Sequence, residues 1–298
     1  MTDNFTPRRY EVRHSTVYTY EKPVTSSFGR GCLRPRATVT QTVAEHQLRI
    51  DPEPQVHDEH VDVLGNHSSY LEIHTDHTRL EVTKTSVIDV DWPRVDLDEL
   101  DEWTVEGAAD EVKERFDAVE VGLYTLPSEL VELSGPVRDF ARTLVWPERS
   151  VGQAIHAVFH EIYTGFRYAK GVTTTSTTLP ELLAARAGVC QDFAHLAVAC
   201  FRAAGLPARY VSGYIETAPP PGKQKLAGSD ATHAWVSVLT PIGWVDLDPT
   251  NDHLADSRYI VTAWGRDFRD VSPLKGVIFT DGGSSTLSVA VDVTRLDA

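Results

Sequence analysis

The sequence predicts an α+β fold, with an N-terminal antiparallel β domain followed by a core of helices packed on an antiparallel sheet. Three observations carry this expectation. Residues 10–90 alternate apolar and polar positions, as in Tyr10, Val12, His14, Thr16, Tyr18 and Tyr20, the two-residue period of half-buried strands. From Ser134 the period becomes helical, with Val137, Phe140, Ala141 and Leu144 at i, i+3, i+4 and i+7. Beyond Gly205, short strand-like runs return between prolines and glycines. The boundaries read as a β-rich domain over 1–92, an acidic linker over 93–133, and a core over 134–298 that includes the C-terminal strands.

In the β domain the clearest strands lie around Tyr70-Leu-Glu-Ile-His and Leu80-Glu-Val-Thr-Lys-Thr-Ser-Val. Between Asp96 and Glu120 the many acidic residues face only Lys113 and Arg115, with Pro93 ahead and Gly122 behind. Such a charge run reads as a solvated, partly helical connection in preference to an acidic docking surface. The helix from Ser134 carries Pro136 early, where proline is tolerated. Ser150 and Gln153 stand in capping-box spacing ahead of a second helix, whose stripe is Ile155, Val158, Phe159 and Ile162. Thr178 and Glu181 repeat that spacing before a third, which stops at Gly188. The fourth, Cys190 to Ala204, is apolar almost all round through Phe193, Leu196, Ala197, Val198, Cys200 and Phe201, as a buried helix is. Strand patterns follow at 208–216, 233–240, 243–248, 258–264, 275–280 and 286–294. Two long polar loops, 171–178 and 218–232, are placed to form substrate walls.

A formal charge of −15, from 43 acidic against 28 basic side chains, repels phosphate backbones and argues against nucleic acid as a partner. No apolar run approaches the roughly 18 residues that span a bilayer, and the start Met-Thr-Asp-Asn-Phe-Thr-Pro-Arg-Arg has no apolar leader segment. Of the three cysteines, 190 and 200 fall in one predicted helix about 15 Å apart, too far to bridge. The expectation is a cytoplasmic, thiol-reducing setting with no membrane association.

Cys190 follows the glycine stop at Gly188 and opens the next helical pattern. A thiol in a helix's first turn sits beside unpaired backbone N–H groups, which favour the thiolate, the nucleophilic form. His233 opens the run His-Ala-Trp-Val-Ser-Val-Leu, and Asp248 lies near the end of Gly-Trp-Val-Asp-Leu-Asp-Pro-Thr; both runs read as strands. A neutral imidazole can take the thiol proton, and a carboxylate on its far nitrogen fixes the tautomer. Asp246 competes for that role, because alternation puts it on the same face as Asp248. His195 is a poor base: five residues along a helix is about 140° away from the thiol. Asp192, about 200° round, is placed to cap N–H groups or brace a neighbouring loop. His156 and His160, at i and i+4 beside Glu161, have a spacing metal ligands can use, but a zinc site needs a third protein ligand, so no metal is expected. Cys200 lies mid-helix among apolar neighbours and reads as a structural thiol, while Cys32, between Gly31 and Leu33, offers nothing distinctive.

Four blocks in order, Gly-Val-Cys-Gln-Asp-Phe-Ala-His-Leu from Gly188, Gly-Leu-Pro-Ala-Arg-Tyr-Val-Ser-Gly-Tyr from Gly205, Thr-His-Ala-Trp-Val from Thr232 and Gly-Trp-Val-Asp-Leu-Asp-Pro-Thr from Gly243, resemble the transglutaminase-like superfamily of cysteine enzymes. Shorter matches, Tyr18-Thr-Tyr20-Glu-Lys-Pro23-Val, Leu33-Arg-Pro-Arg36 and Leu64-Gly-Asn66, are similar to its bacterial branch with an extra N-terminal β domain. The resemblance implies a papain/transglutaminase-like core with Cys190 as nucleophile, His233 as base and Asp248, in Asp-Pro-Thr, as the orienting acid. It also puts Tyr168 where relatives hold a donor near the oxyanion. The implied activity is acyl transfer from a peptide or protein amide through a thioester, to water as a peptidase or amidase, or to an amine as a transglutaminase. Such chemistry calls for no cofactor. A noncatalytic peptide-binding scaffold is the competing class.

Overall fold

The computed structural model describes residues 3–217, 228, 230 and 232–296. The N-terminal sheet is built from β1 (Arg8–Gly31), β2 (Gln41–Asp51), β3 (Val56–Val61), β4 (His67–Ile73) and β5 (His77–Val90), all antiparallel, in the order β2-β5-β1-β4-β3. β1 is the spine, 24 residues long, and its strict in/out alternation buries Tyr10, Val12 and His14 on one face while their neighbours meet solvent. A 3-10 turn (Glu99–Glu102) and the helices α1 (Val105–Arg115), α2 (Ala118–Thr125), α3 (Gly135–Leu144) and α4 (Val151–Gly165) follow. Then come β6 (Arg167–Tyr168), α5 (Leu179–Ala185), β7 (Ala187–Gly188) and α6 (Cys190–Ala203). The chain finishes with β8 (Ala208–Ile215), β9 (Thr232–Thr240), β10 (Gly243–Asp248), β11 (His253–Leu254), β12 (Tyr259–Gly265), β13 (Lys275–Thr280) and β14 (Ser285–Leu296).

The second sheet runs β11-β10-β9-β8-β12, antiparallel throughout. Its strands are buried on both faces. Ala234, Val236, Val238, Val245 and Leu247 pack into one cluster with the buried residues of α6, α3 and α4. Trp235, Val211 and Tyr259 pack on the other side against Tyr10, Val12, Ile88 and Trp92 of the N-terminal domain. Fully burying each such side chain is worth about 1.5–3 kcal/mol, so the sheet is anchored from both directions. α6 is the central helix, buried from Phe193 through Arg202, as its all-round apolar pattern requires.

β12 is the last strand of this sheet, and side chains of the N-terminal domain cover its outer edge. The Gln41 carboxamide donates to Val261 O (2.7 Å) and accepts from Val261 N (2.8 Å). Asn66 does the same with Trp264, at 2.8 and 3.0 Å. Each amide reproduces the two-point pairing of a neighbouring strand. Arg36 ties the arrangement together, donating to Asn66 Oδ1 and Leu64 O.

Three expectations are corrected. β13 and β14 do not extend the core sheet: both pair with β1, β14 from Arg9 to Tyr20 and β13 from Val24 to Arg30, so the chain's end returns to its beginning. The segment 93–133 is not simply a solvated connection, because Leu100, Val105, Ala108, Ala109 and Val131 lie in the same buried cluster as α6. Helix α4 is not capped by its own Ser150, whose side chain makes no capping bond; Asp101 of the 3-10 turn accepts from Gln153 N instead, at 3.0 Å. Gly152 permits that approach, since a Cβ there would stand 2.1 Å from Leu97 O. The capping box of Thr178 and Glu181 forms as expected, and so does the early proline of α3.

Candidate active site

Cys190 is the first residue of α6, partly open to solvent, and Gly188 and Val189 lead into it in extended conformation. Asp192 secures this turn. Its carboxylate accepts from Val189 N (2.8 Å) and from Thr173 Oγ1 (2.7 Å), so it fastens the polar loop 171–178 beside the helix start. The loop 218–232, expected to form another wall, lies almost wholly outside the described residues.

His233 is the second residue of β9, at one end of the second sheet's middle strand, and is 8% exposed. Its Nε2 lies 2.6 Å from Asp248 Oδ2, and the Cys190 sulfur is near enough to raise the imidazole pKa. Asp248, at the end of β10, is 0% exposed. It accepts four hydrogen bonds: from His233, from Tyr259 Oη (2.5 Å), from Asn251 Nδ2 (2.6 Å) and from Thr250 N (2.8 Å). Burial alone would discharge both partners. Against that burial, the Asp248 carboxylate and then the nearby Cys190 raise the imidazole pKa, and the imidazole charge with the Tyr259 and Asn251 donors lowers the carboxylate pKa. The pair is held as imidazolium and carboxylate, with Trp235 stacked on the ring at 6.1 Å.

The structure separates the competing groups. Asp246 accepts from Trp235 Nε1 (2.9 Å) and Ser237 Oγ (3.0 Å), with no bond to His233. His195 points away from the thiol, packs on Tyr210 at 4.8 Å and accepts from Phe268 N; burial pushes its pKa down to about 4, so it is a neutral core residue. His160 bonds Asp252, and His156 stacks on His160 at 5.3 Å. Among the described residues no three His, Cys, Asp or Glu side chains are grouped to hold a metal ion. Tyr168 pairs through β6 with Gly188 and is 48% exposed. Burial, then the nearby charges of Cys190 and Asp192, raise its phenol pKa, so its hydroxyl keeps a proton to donate. Asn251 and Tyr259, which complete the environment of Asp248, escaped the sequence reading. Asn251 lies three residues past Asp248, at a turn position where Asx side chains bond locally; Tyr259 carries no comparable signal.

Comparison with known proteins decides the family. A profile for the bacterial transglutaminase-like N-terminal region matches residues 10–89, and one for the transglutaminase-like superfamily matches residues 138–249. The chain belongs to the transglutaminase-like superfamily. An uncharacterized Mycobacterium tuberculosis protein is 45% identical over 298 residues, covering 97% of this chain and 93% of its own. One from Mycobacterium leprae is 32% identical over 291 residues, covering 97% and 99%. A solved structure described as that of a candidate cysteine protease from Cytophaga hutchinsonii superposes with a TM-score of 0.80 at 20% identity, over 98% of this chain and 92% of the other, and so shares the fold. As a transglutaminase-like protein, the chain carries its Cys, His and Asp on one helix start and two neighbouring strands.

Proposed function

We propose that this transglutaminase-like protein is a cysteine peptidase or amidase acting on peptide or protein substrates. The Cys190 sulfur attacks an amide carbonyl, and the proton that His233 holds passes to the departing nitrogen as the C–N bond breaks. Water then adds to the thioester carbon, giving up a proton to His233; the acid leaves, and the sulfur is restored. Asp248 keeps the imidazole oriented and charged. The Cys190 backbone N–H, at the open end of α6, stabilises the oxyanion, with the Tyr168 hydroxyl beside it. Asp192 positions the loop rather than reacting. The observation that carries this reading is one imidazole bonded to a fully buried carboxylate and lying close enough to the Cys190 sulfur, at the start of α6, for that sulfur to raise its pKa.

The test is turnover of a mixed peptide library by wild type and Cys190→Ala, with and without a primary amine, read by mass spectrometry. Hydrolysed fragments from wild type alone support the proposal. Amine adducts in place of free acids would replace hydrolysis by transamidation. Equal peptide binding by both proteins, with no product and no trapped thioester, would make the chain a scaffold.

A further inference from the structure

On the sheet face turned away from α6, between β10, the edge of β12 and the N-terminal domain, lies a cavity of about 630 Å³. Its size is that of a small-molecule site. Arg209 of β8 forms part of its wall and is 6% exposed, yet among the described residues it has no hydrogen bond or ion pair, and its Nε is buried without a partner. Two indoles hold the guanidinium in place: its carbon lies 3.9 Å over the Trp244 ring and 3.6 Å over the Trp264 ring. Stacking of this kind fixes the plane of the fork but uses none of its five N–H donors. A buried cation with unused donors is costly unless something pairs with it.

The remaining wall says what that partner is. Asp246 and Glu120 also line this cavity, Asp246 on the same sheet face as Arg209, since both stand in register with Ser237 of β9. Asp246 already accepts from Trp235 and Ser237, and it makes no ion pair with Arg209 within 4 Å. The rest of the lining includes Val39, Trp92, Ile242 and Leu254. One fixed cation, carboxyl groups on the wall beside it and an apolar, indole-rich lining match a molecule that carries both charges next to an apolar side chain. We propose that this cavity binds an apolar α-amino acid, free or at the end of a short peptide, with its carboxylate on Arg209, its ammonium toward Asp246 and Glu120, and its side chain against the indoles. A carboxylate meets the guanidinium through two parallel N–H···O bonds, the geometry an immobilised fork favours. The site is separate from Cys190 and stands whether or not the chain hydrolyses peptides. Its floor leads toward the thiol all the same, since Asp246 holds Trp235 and Trp235 stacks on His233.

The experiment is calorimetric titration of the intact Cys190→Ala chain with L-phenylalanine, L-phenylalaninamide and N-acetyl-L-phenylalanine. Saturable binding of phenylalanine at or below millimolar concentration is expected, weakened tenfold or more in the amide and by a smaller factor in the acetyl derivative. Arg209→Gln should abolish it. Ile242→Trp, at an exposed position on the rim, should narrow the mouth and weaken binding at an unchanged melting temperature, so the test survives a failure of Arg209→Gln to fold. Equal affinity for phenylalanine and its amide, or no heat with any of the three in a folded protein, overturns the proposal. Tighter binding of the acetyl derivative than of phenylalanine overturns the assignment of Asp246 and Glu120 and leaves a simple carboxylate site.

Discussion

His233 Nε2 stands 2.6 Å from Asp248 Oδ2, and that carboxylate has no surface open to water. A buried charge pair is stable only when the remaining lone pairs are satisfied. Tyr259, Asn251 and Thr250 do this for Asp248. Removing any member of this group therefore leaves a buried charge short of a partner, with measurable effects on both chemistry and stability.

Asp248→Asn takes away the charge that holds the imidazolium. Burial is then opposed only by Cys190, and the His233 pKa falls. The alkaline limb of the kcat/KM profile should move to lower pH, with kcat down by about 10²–10⁴-fold. An unchanged alkaline limb would show that Asp248 does not govern the imidazole.

The same pair sets a pH window for stability. His233 has a raised pKa, so its contribution is complete below the ordinary imidazole value and is lost as pH climbs through the folded one. Asp248 has a lowered pKa, so its contribution is complete above the ordinary carboxylate value and is lost as pH falls through the folded one. The joint contribution is therefore fullest between about 4 and 6.5, the two ordinary values. Urea midpoints of wild type and the His233→Ala, Asp248→Ala double variant should differ most in that interval.

Tyr259→Phe removes one donor and leaves the ring. Loss of a hydrogen bond to a charged acceptor costs about 1.5–3 kcal/mol, measurable by urea denaturation. The Asp248 pKa should rise, since the lost donor helped hold it down, and acid inactivation should begin at higher pH.

Among the thiols, Cys190 alone is partly exposed. Burial drives the Cys32 pKa up to about 11 and that of Cys200 higher still. Substoichiometric iodoacetamide on the folded protein should therefore carboxymethylate Cys190 first, as located by peptide mass spectrometry. Equal labelling of the three would count against an accessible nucleophile.

The sequence disclosed those parts of this architecture that rest on local period. β8, β9, β10 and β12, and the helices α3, α4 and α6, fall close to where alternation and 3.6-residue stripes place them, whereas α5 ends at Ala185, three residues before the expected stop at Gly188. It concealed what depends on distant partners. Nothing in Lys275–Thr280 or Ser285–Leu296 tells that they pair with β1, 245 or more positions earlier. In 93–133 the apolar stripe of Val105, Ala108 and Val112 is masked by the acidic residues around it. The cap on α4 comes from Asp101, 52 residues before the amide it binds. At the site, alternation left Asp246 and Asp248 equivalent, because both face the N-terminal domain. They differ in what lies across the strand: Asp246 meets Trp235 and Ser237, and Asp248 reaches His233 near the start of β9.

Gln41 and Asn66 have a consequence for how this protein can be divided. The two matched regions look like separable modules, but the rim of one is finished by carboxamides borrowed from the other. A fragment starting at Ser134 would present β12 with the N–H and C=O of Val261 and Trp264 bare, an open template for strands of other molecules. It would also carry β13 and β14 with no β1 to receive them. Expressed alone, that fragment should elute from a sizing column as large aggregates where the intact chain does not.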